Sequence, residues 1–244
     1  MYHGKRVALI IPARNEASAL PHVLGAIPSL VDLTLVVDNG STDETAPVAR
    51  EWGAEVVSEP RAGYGRACLA GLSTLGVNPP DIVAFADADG SDDISRLPQL
   101  LDFIVKEQAQ LCLAARIPIE PHALTPQQRF GNRLATQLIY LFWGHRYGDL
   151  GPMRAITWEG LGQLGMSAPN YAWTIEMQVR ALQKGLRVKE LATLYHKRKA
   201  GRSKVSGTLA GSCQAGAKIL WFLARAVLAE KMPLLNAKRT RQAA

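Results

Sequence analysis

Ile82-Val83-Ala84-Phe85-Ala86-Asp87-Ala88-Asp89-Gly90-Ser91-Asp92-Asp93 changes character halfway along its length. The first half is apolar without alternation, the pattern of a strand covered on both faces, and the second half crowds carboxylates at the strand's exit. Working outward, Val7 to Ile11, Leu33 to Val37, Glu55 to Val57 and Leu111 to Ala114 also read as strands. Between them Ala17 to Ala26, Thr42 to Trp52, Gly65 to Leu75 and Leu97 to Gln108 carry helical apolar spacing, with Ser41 or Asp43 placed to cap the second. Strands alternating with helices make a βαβ series, hence an α/β chain around a mostly parallel sheet. Ligands of such sheets sit beyond the carboxyl ends of the strands, which directs attention to the loops after Ile11, Val37 and Ala86.

The second half of the chain is less regular. A Pro-rich connection, Ile117 to Pro126, precedes an apolar helix-like stretch from Leu134 to Trp143 and a loop from Gly148 to Pro152. A helix from Tyr171 to Lys184, a strand from Leu186 to Leu194 and a basic loop from His196 to Lys204 follow. Leu209 to Glu230 reads as a final helix, ahead of a basic tail. These features predict one catalytic domain over residues 1–207 and a C-terminal amphipathic helix with its tail over 208–244. Within the domain, residues 1–116 form the expected ligand-binding half and 117–207 the second half.

The 244 residues are 48% hydrophobic and 20% charged, the balance of a globular chain rather than a disordered or fibrous one. Three cysteines, Cys68, Cys112 and Cys213, lie far apart in apolar stretches, so neither a disulfide framework nor a cysteine zinc site is expected. A reducing, cytoplasmic setting fits that usage, and the first residues show no export signal. Lys218, Arg225 and Lys231 interrupt the apolar tail below the ~18 uncharged residues of a membrane span. A net charge of +7 favours a polyanionic partner: nucleic acid, anionic lipid or a phosphorylated substrate.

Three strand exits carry polar clusters. Asp87 and Asp89 alternate on extended chain and so can converge on one cation or one ligand, although Asp92 or Asp93 in the same cluster could simply cap the helix that follows. Asp38 in Val37-Asp38-Asn39-Gly40-Ser41-Thr42-Asp43 is either the start of an Asx turn or an acceptor for a polar ligand edge. Pro12-Ala13-Arg14-Asn15-Glu16 is a strand end, a turn and a helix start.

In this order and at these spacings, together with Arg61-Ala62-Gly63-Tyr64-Gly65-Arg66-Ala67, the clusters resemble glycosyltransferase family 2, whose nucleotide-sugar domain has the GT-A fold. The resemblance extends to its polyprenyl-phosphate sugar synthases, through Trp173-Thr174-Ile175-Glu176-Met177 and Arg198-Lys199-Ala200-Gly201-Arg202-Ser203-Lys204. It covers about Val7 to Gly207. Arg14 stands where that family has Tyr, Asn39 where it has a second Asp, and Ser91 where the synthases often have Gln.

The resemblance implies a metal-dependent, inverting hexosyl transfer by single in-line displacement. The donor would be a UDP- or GDP-linked sugar, and the acceptor a polyprenyl phosphate, another membrane-associated group or a soluble hydroxyl. Mg²⁺ or Mn²⁺ would be held by Asp89, with Asp87 and Ser91 as further ligand positions, because those ions prefer oxygen. Pro12, Arg14, Glu16, Asp38 and Gly65 would line the nucleotide pocket, with Asp87 on the metal or the ribose. Arg198 and Lys204 would hold phosphate, with Arg129 and Arg133 as further acceptor-phosphate candidates. Glu176 or Asp149 would be the general base for a hydroxyl acceptor, whereas an ionised phosphate needs none and leaves Glu176 to orient a basic side chain.

On a helical projection Leu209, Cys213, Ala217, Leu220, Ala224 and Val227 share one side, with Gln214, Lys218 and Arg225 on another. Such a helix either packs on its own domain or lies on an anionic membrane, where Trp221, Phe222 and the tail cations suit the interface and Leu134 to Trp143 could join them. A peripheral position on the cytoplasmic face follows from the second case. The sequence leaves homo-oligomer formation open. Two other classes carry less support. A dinucleotide-binding reading of Gly63-Tyr64-Gly65 meets Cys68 at its third glycine, and a basic lipid- or nucleic-acid-binding protein with an inactive nucleotide site rests on charge.

Overall fold

The structure, a computed structural model, describes residues 1–120, 123–199 and 216–230. Seven strands form one sheet: β1 (Val7–Ala13), β2 (Leu33–Asp38), β3 (Glu55–Ser58), β4 (Ile82–Phe85), β5 (Leu111–Pro118), β6 (Arg154–Thr157) and β7 (Val188–Tyr195). Their spatial order is β3-β2-β1-β4-β6-β5-β7. All neighbours run parallel except β6, which is antiparallel to both β4 and β5.

The helices are α1 (Leu20–Gly25), α2 (Thr45–Glu51), α3 (Tyr64–Leu75), α4 (Leu97–Val105), α5 (Pro126–Trp143), α6 (Trp158–Leu164) and α7 (Trp173–Gln183). Residues 216–230 form a further C-terminal helix.

Two apolar layers explain the unbroken runs of β1 and β4. Val7, Leu9, Ile11, Ile82 and Ala84 enter one core with side chains of α1, α2 and α4. Ala8, Ile10, Val83 and Phe85 enter the other with α3, α5, α6, α7 and Leu223. Helices on both faces leave the inner strands no wet side, so apolar residues occupy consecutive positions. The carboxyl ends of β1, β2 and β4 then lie side by side, since Ala13 pairs with Asp38 and Ile10 with Phe85.

Several elements differ from the sequence expectation. β6 and α6 fall where no element was expected. Four residues with a charged Arg154 at their head give too short an apolar signal, although Thr157 accepts from Gly160 N–H as a helix cap. α5 begins at Pro126 rather than Leu134, because Thr125 and Gln128 close a capping box around a proline-started turn. β5 continues past Ala114 to Pro118 alongside β7.

The C-terminal helix packs on the domain through Leu223, which is buried, with Ile219, Phe222 and Ala226 beside it. That is not the side expected from the sequence. Ala217 and Ala224 are exposed, and Leu220 is 41% exposed, since the larger Phe222 and Ile219 fill the core better than two alanines. Leu209 and Cys213 lie outside the described residues, while Cys68 and Cys112 are buried free thiols. Among the described residues no helix is long and apolar enough to cross a membrane.

Candidate active site

The loops leaving β1 and β2 are laced together. Asn15, at a positive φ of 52°, donates its N–H to Ser41 Oγ and accepts from Thr42 N–H, and Glu16 N–H donates to Thr45 Oγ1. Asp38 Oδ1 accepts from Ser41 N–H at 3.0 Å, three residues on, so its carboxylate closes the bend at Gly40 one residue wider than the Asx turn the sequence suggests. Asp43 rather than Ser41 serves the start of α2, accepting from Thr45 N–H and also from Ala17 N–H.

Asn39, where the family has Asp, has a structural explanation. Its Nδ2 donates to the carbonyls of Glu59 and Arg61, both at 2.8 Å, while Oδ1 accepts from Gly63 N–H at 2.8 Å. A carboxylate has no hydrogen to give to two carbonyls. The amide therefore fixes the turn that leads into Gly63, Tyr64 and Gly65.

At the exit of β4, Asp89 is buried and meets a cation from the far end of the chain. Arg198 Nη2 lies 3.0 Å from Asp89 Oδ2, and its Nη1 lies 2.7 Å from Glu16 Oε1. The chain after β7 is strapped along the acidic loop, with His196 N–H donating to Ser91 O and Lys199 N–H to Asp89 O. Burial works against the Arg198 charge, but Asp89 and Glu16 outweigh it and raise its pKa.

Asp87 sits deeper. Burial first, then the charges of Asp89 and Asp92, push its carboxyl well above the usual range. Its Oδ1 is buried and makes no hydrogen bond among the described residues, while the Tyr64 hydroxyl acts on the carboxyl as a donor. Asp92 turns back to accept from Asp87 N–H, and burial together with Asp89 raises it to about 7. Helix capping is thus not the role of Asp92; Asp93 stands before the helical turn and takes the Ser95 hydroxyl instead.

Three acidic groups share one small volume, and an orphaned carboxylate oxygen stands among them. That donor set suits a hard divalent cation. Among the described residues no three His, Cys, Asp or Glu side chains are placed to hold a metal ion together, so most of the shell would have to come from oxygens of a ligand. Ser91 is buried beside them, with its N–H on Asp89 Oδ1.

The two candidate bases are both engaged. Glu176, 1% exposed, accepts from Ser167 N–H, Ser167 Oγ–H and Ala168 N–H and pairs with Arg180 Nη2 at 2.8 Å. Asp149 is held by Arg116 through both oxygens, at 2.6 and 3.0 Å, which lifts the Arg116 pKa against the effect of burial.

Gly65 is buried under the loop that Glu176 holds. A Cβ there would stand 1.9 Å from Ala168 O, so its lack of a side chain serves close backbone packing. Pro12, Arg14 and Asp38 lie at the neighbouring ends of β1 and β2. Lys204 lies outside the described residues, as do Gly201, Arg202 and Ser203.

Sequence reasoning missed three side chains. Tyr64 opens α3 next to Asp87, and Tyr171 carries its phenol within electrostatic reach of Arg14 and Asp87. Arg154, buried at the position of β6 that pairs with Phe85 of β4, donates to the carbonyls of Gly151, Pro152 and Thr174. Tyr64 follows Gly63 at a helix start and Tyr171 follows Asn170 in a turn, where nothing local marks either side chain as part of a site.

Away from the acidic loop, Arg129 and Arg133 are exposed on α5, and Asn132 between them accepts from Leu150 N–H. Phe130 and Leu141 of the same helix are each 71% exposed. So is Trp221 on the C-terminal helix, whose end meets α5 where Trp143 Nε1 donates to Glu230.

The family model described as Glycosyl transferase family 2 matches residues 8–157. An uncharacterised glycosyltransferase of Mycobacterium tuberculosis is 41% identical over 209 residues, covering 86% of this chain and 94% of the relative. An undecaprenyl-phosphate mannosyltransferase of Micrococcus luteus is 29% identical over 225 residues, covering 84% and 90%. Among solved structures, glucosyl-3-phosphoglycerate synthase of M. tuberculosis, bound to Mn²⁺, UDP and its product, superposes with a TM-score of 0.72. It is 24% identical, with 93% of this chain and 80% of that chain covered, a likeness of fold.

Proposed function

The chain belongs to glycosyl transferase family 2, and from that premise we propose that it moves a hexose from a UDP- or GDP-linked sugar to a polyprenyl phosphate or another membrane-associated phosphate. The observation that carries the acceptor class is the engagement of both candidate bases. Glu176 has its lone pairs filled by Ser167, Ala168 and Arg180, and Asp149 is locked to Arg116. A phosphate oxygen is ionised at neutral pH and attacks without such a base. The mannosyltransferase relative, by its name, uses an acceptor of that kind.

The donor side follows from the strand exits. Pro12, Arg14, Glu16 and Asp38 border the nucleotide, with Asp87 at the ribose or the metal. Asp89, with Asp87 and Ser91 beside it, would hold Mg²⁺ or Mn²⁺. That ion, when bound, neutralises charge growing on the leaving diphosphate. Arg198 stands at the same point and can move its two-pronged cation from Asp89 and Glu16 to phosphate oxygens, with Lys204 as a second phosphate contact.

Arg129 and Arg133 lie beside Phe130 on the outer side of α5, and Lys218 and Arg225 share the C-terminal helix with Trp221. Exposed aromatics bordered by cations fit the surface of an anionic membrane, where a lipid phosphate would be met.

A second reading has one observation in its favour. The structural neighbour glucosyl-3-phosphoglycerate synthase acts on a small phosphorylated acceptor, so a soluble phosphate ester is the competing class. Titrating UDP- and GDP-sugars with Mn²⁺, Mg²⁺ or chelator identifies the donor. Label transfer to undecaprenyl phosphate in vesicles, against transfer to 3-phosphoglycerate, decides the acceptor. Metal-dependent transfer to the lipid is expected, and transfer to the soluble ester alone would reject the lipid acceptor.

A further inference from the structure

Glu16 stands in the turn after β1 and Arg198 in the chain after β7, 182 positions apart, yet their side chains meet at 2.7 Å. The backbone at Glu16 is tightly held. Its N–H donates to Thr45 Oγ1 at 2.9 Å, its carbonyl accepts from the N–H groups of Ala19 and Leu20 at 2.9 and 3.0 Å, and the neighbouring Asn15 N–H is held by Ser41 Oγ. With a side chain only 7% exposed, Glu16 presents a fixed, nearly buried carboxylate rather than a solvated surface charge.

The strap that carries Arg198 is held without its guanidinium. Tyr195 pairs with Asp92 in an antiparallel bridge, His196 N–H donates to Ser91 O at 2.8 Å, Lys197 N–H to Glu120 Oε2 at 2.9 Å and Lys199 N–H to Asp89 O at 3.1 Å. The head group can therefore turn about its own side-chain torsions while the backbone stays in place. The Arg198 side chain is 22% exposed, which leaves an approach to it open.

The two carboxylates that share Arg198 are not equivalent. Asp89 is the one suited to a divalent cation, and an ion at its Oδ2 would face the guanidinium whose Nη2 now lies 3.0 Å away. Two cations crowded on one carboxylate oxygen repel, so Nη2 has to leave. An arginine with no second anchor would then turn out to solvent. Glu16 supplies that anchor on the other prong, because Nη1 keeps a nearly buried carboxylate when Nη2 is released. The planar fork suits this division of labour, since its two ends are rigidly joined and can serve two different anions at once.

We infer that Glu16 is the positioning residue for Arg198 in donor binding. Of the two contacts, the one to Asp89 is given up first. Glu16 keeps Arg198 at the mouth of the cluster through Nη1, so that Nη2 is free to meet the diphosphate of a nucleoside diphosphate sugar. The inference rests on the donor-site reading above, and it makes Glu16 act through Arg198 rather than by touching the base or the ribose.

The test compares ligands with and without the diphosphate on the full chain in Mn²⁺: UDP and GDP by calorimetric titration, uridine and guanosine by saturation-transfer NMR. Glu16→Gln keeps the shape and loses the charge. It should weaken the diphosphate that the wild type binds by about tenfold and leave the matching nucleoside at wild-type affinity. Arg198→Ala should lose as much or more on the diphosphate, and adding Glu16→Gln to it should cost nothing further, because both changes remove one contact. Glu16→Asp keeps the charge but draws it back by one methylene; it should show the same selective loss and is the variant to read if Glu16→Gln does not fold. Equal losses on diphosphate and nucleoside would make Glu16 a direct nucleotide contact, and additive losses in the double variant would make the ion pair a clamp on the strap alone. Either result overturns the proposal, as does wild-type diphosphate affinity in Glu16→Gln. If the wild type bound neither diphosphate, the donor-site reading would fail first and take this one with it.

Discussion

Arg198 Nη2 and Asp89 Oδ2 stand 3.0 Å apart, with the other prong of the same guanidinium 2.7 Å from Glu16. The chain's own cation therefore occupies the mouth of its acidic cluster. Arg198→Ala removes the guanidinium that the two nearly buried carboxylates Asp89 and Glu16 share. Breaking a fully buried pair costs ~3–5 kcal/mol, and the partial exposure of Arg198 reduces this to about 1–3. Added Mn²⁺ should then raise the melting temperature of Arg198→Ala more than that of the wild type. Differential scanning fluorimetry reads both. Equal Mn²⁺ shifts would show that the ion does not bind against Asp89.

Asn39→Asp restores the residue common in the family and should nevertheless destabilise this chain. The new carboxylate would face the Glu59 and Arg61 carbonyls that Nδ2 now serves at 2.8 Å. Loss of two donors to part-buried acceptors is worth about 1–3 kcal/mol. Urea unfolding monitored by circular dichroism measures it, and an unchanged midpoint would mean that the turn at 59–63 is held by other contacts.

The parts of the molecule that were legible in sequence share a physical trait. β1, β2 and β4 are covered on both faces, so their apolar runs are uninterrupted, and the polar clusters at their ends mark the site directly. β6 was hidden because a four-residue antiparallel strand begins with an arginine that caps carbonyls instead of facing water. The place of Tyr64 beside Asp87 and the buried engagement of Glu176 were hidden for another reason. Their meaning depends on a contact between residues 63–66 and 167–170, about a hundred positions apart, which no local pattern encodes.

The acidic cluster should make stability fall as pH rises. Asp92 titrates at about 7 in the folded chain, raised by burial and by Asp89, and Asp87 is displaced in the same direction. Unfolded aspartate titrates near ~3.9. Between about pH 4 and 7 the folded state therefore holds protons that the unfolded state has lost. The stability contributed by Asp92 is complete below about pH 4 and declines up to about 7, by at most ~1.4 kcal/mol per unit of displacement, and Asp87 adds a decline of the same sign. Urea midpoints from pH 4.5 to 7.5 without metal should show that decline, and Asp92→Asn should flatten it. A midpoint that rises with pH in the wild type and is unaffected by Asp92→Asn would remove the case for a protonated cluster.

Two glycines allow a controlled test of the loop contact. Gly65→Ala forces a methyl to 1.9 Å from Ala168 O and 2.9 Å from Ala168 C, both backbone atoms that cannot swing aside. The loop must move, at a cost of about 1–3 kcal/mol, and donor affinity should fall with it because Gly65 lies in the first turn of α3, next to Tyr64, whose hydroxyl meets Asp87. Gly131 lies in α5 with nothing within 4 Å of its would-be Cβ. Gly131→Ala should instead leave donor affinity unchanged and add up to ~1 kcal/mol, as alanine is the better helix former. Chemical denaturation and donor titration on the two variants separate the effects. If Gly65→Ala lost stability while retaining wild-type donor affinity, the loop would be packing alone and would not shape the pocket.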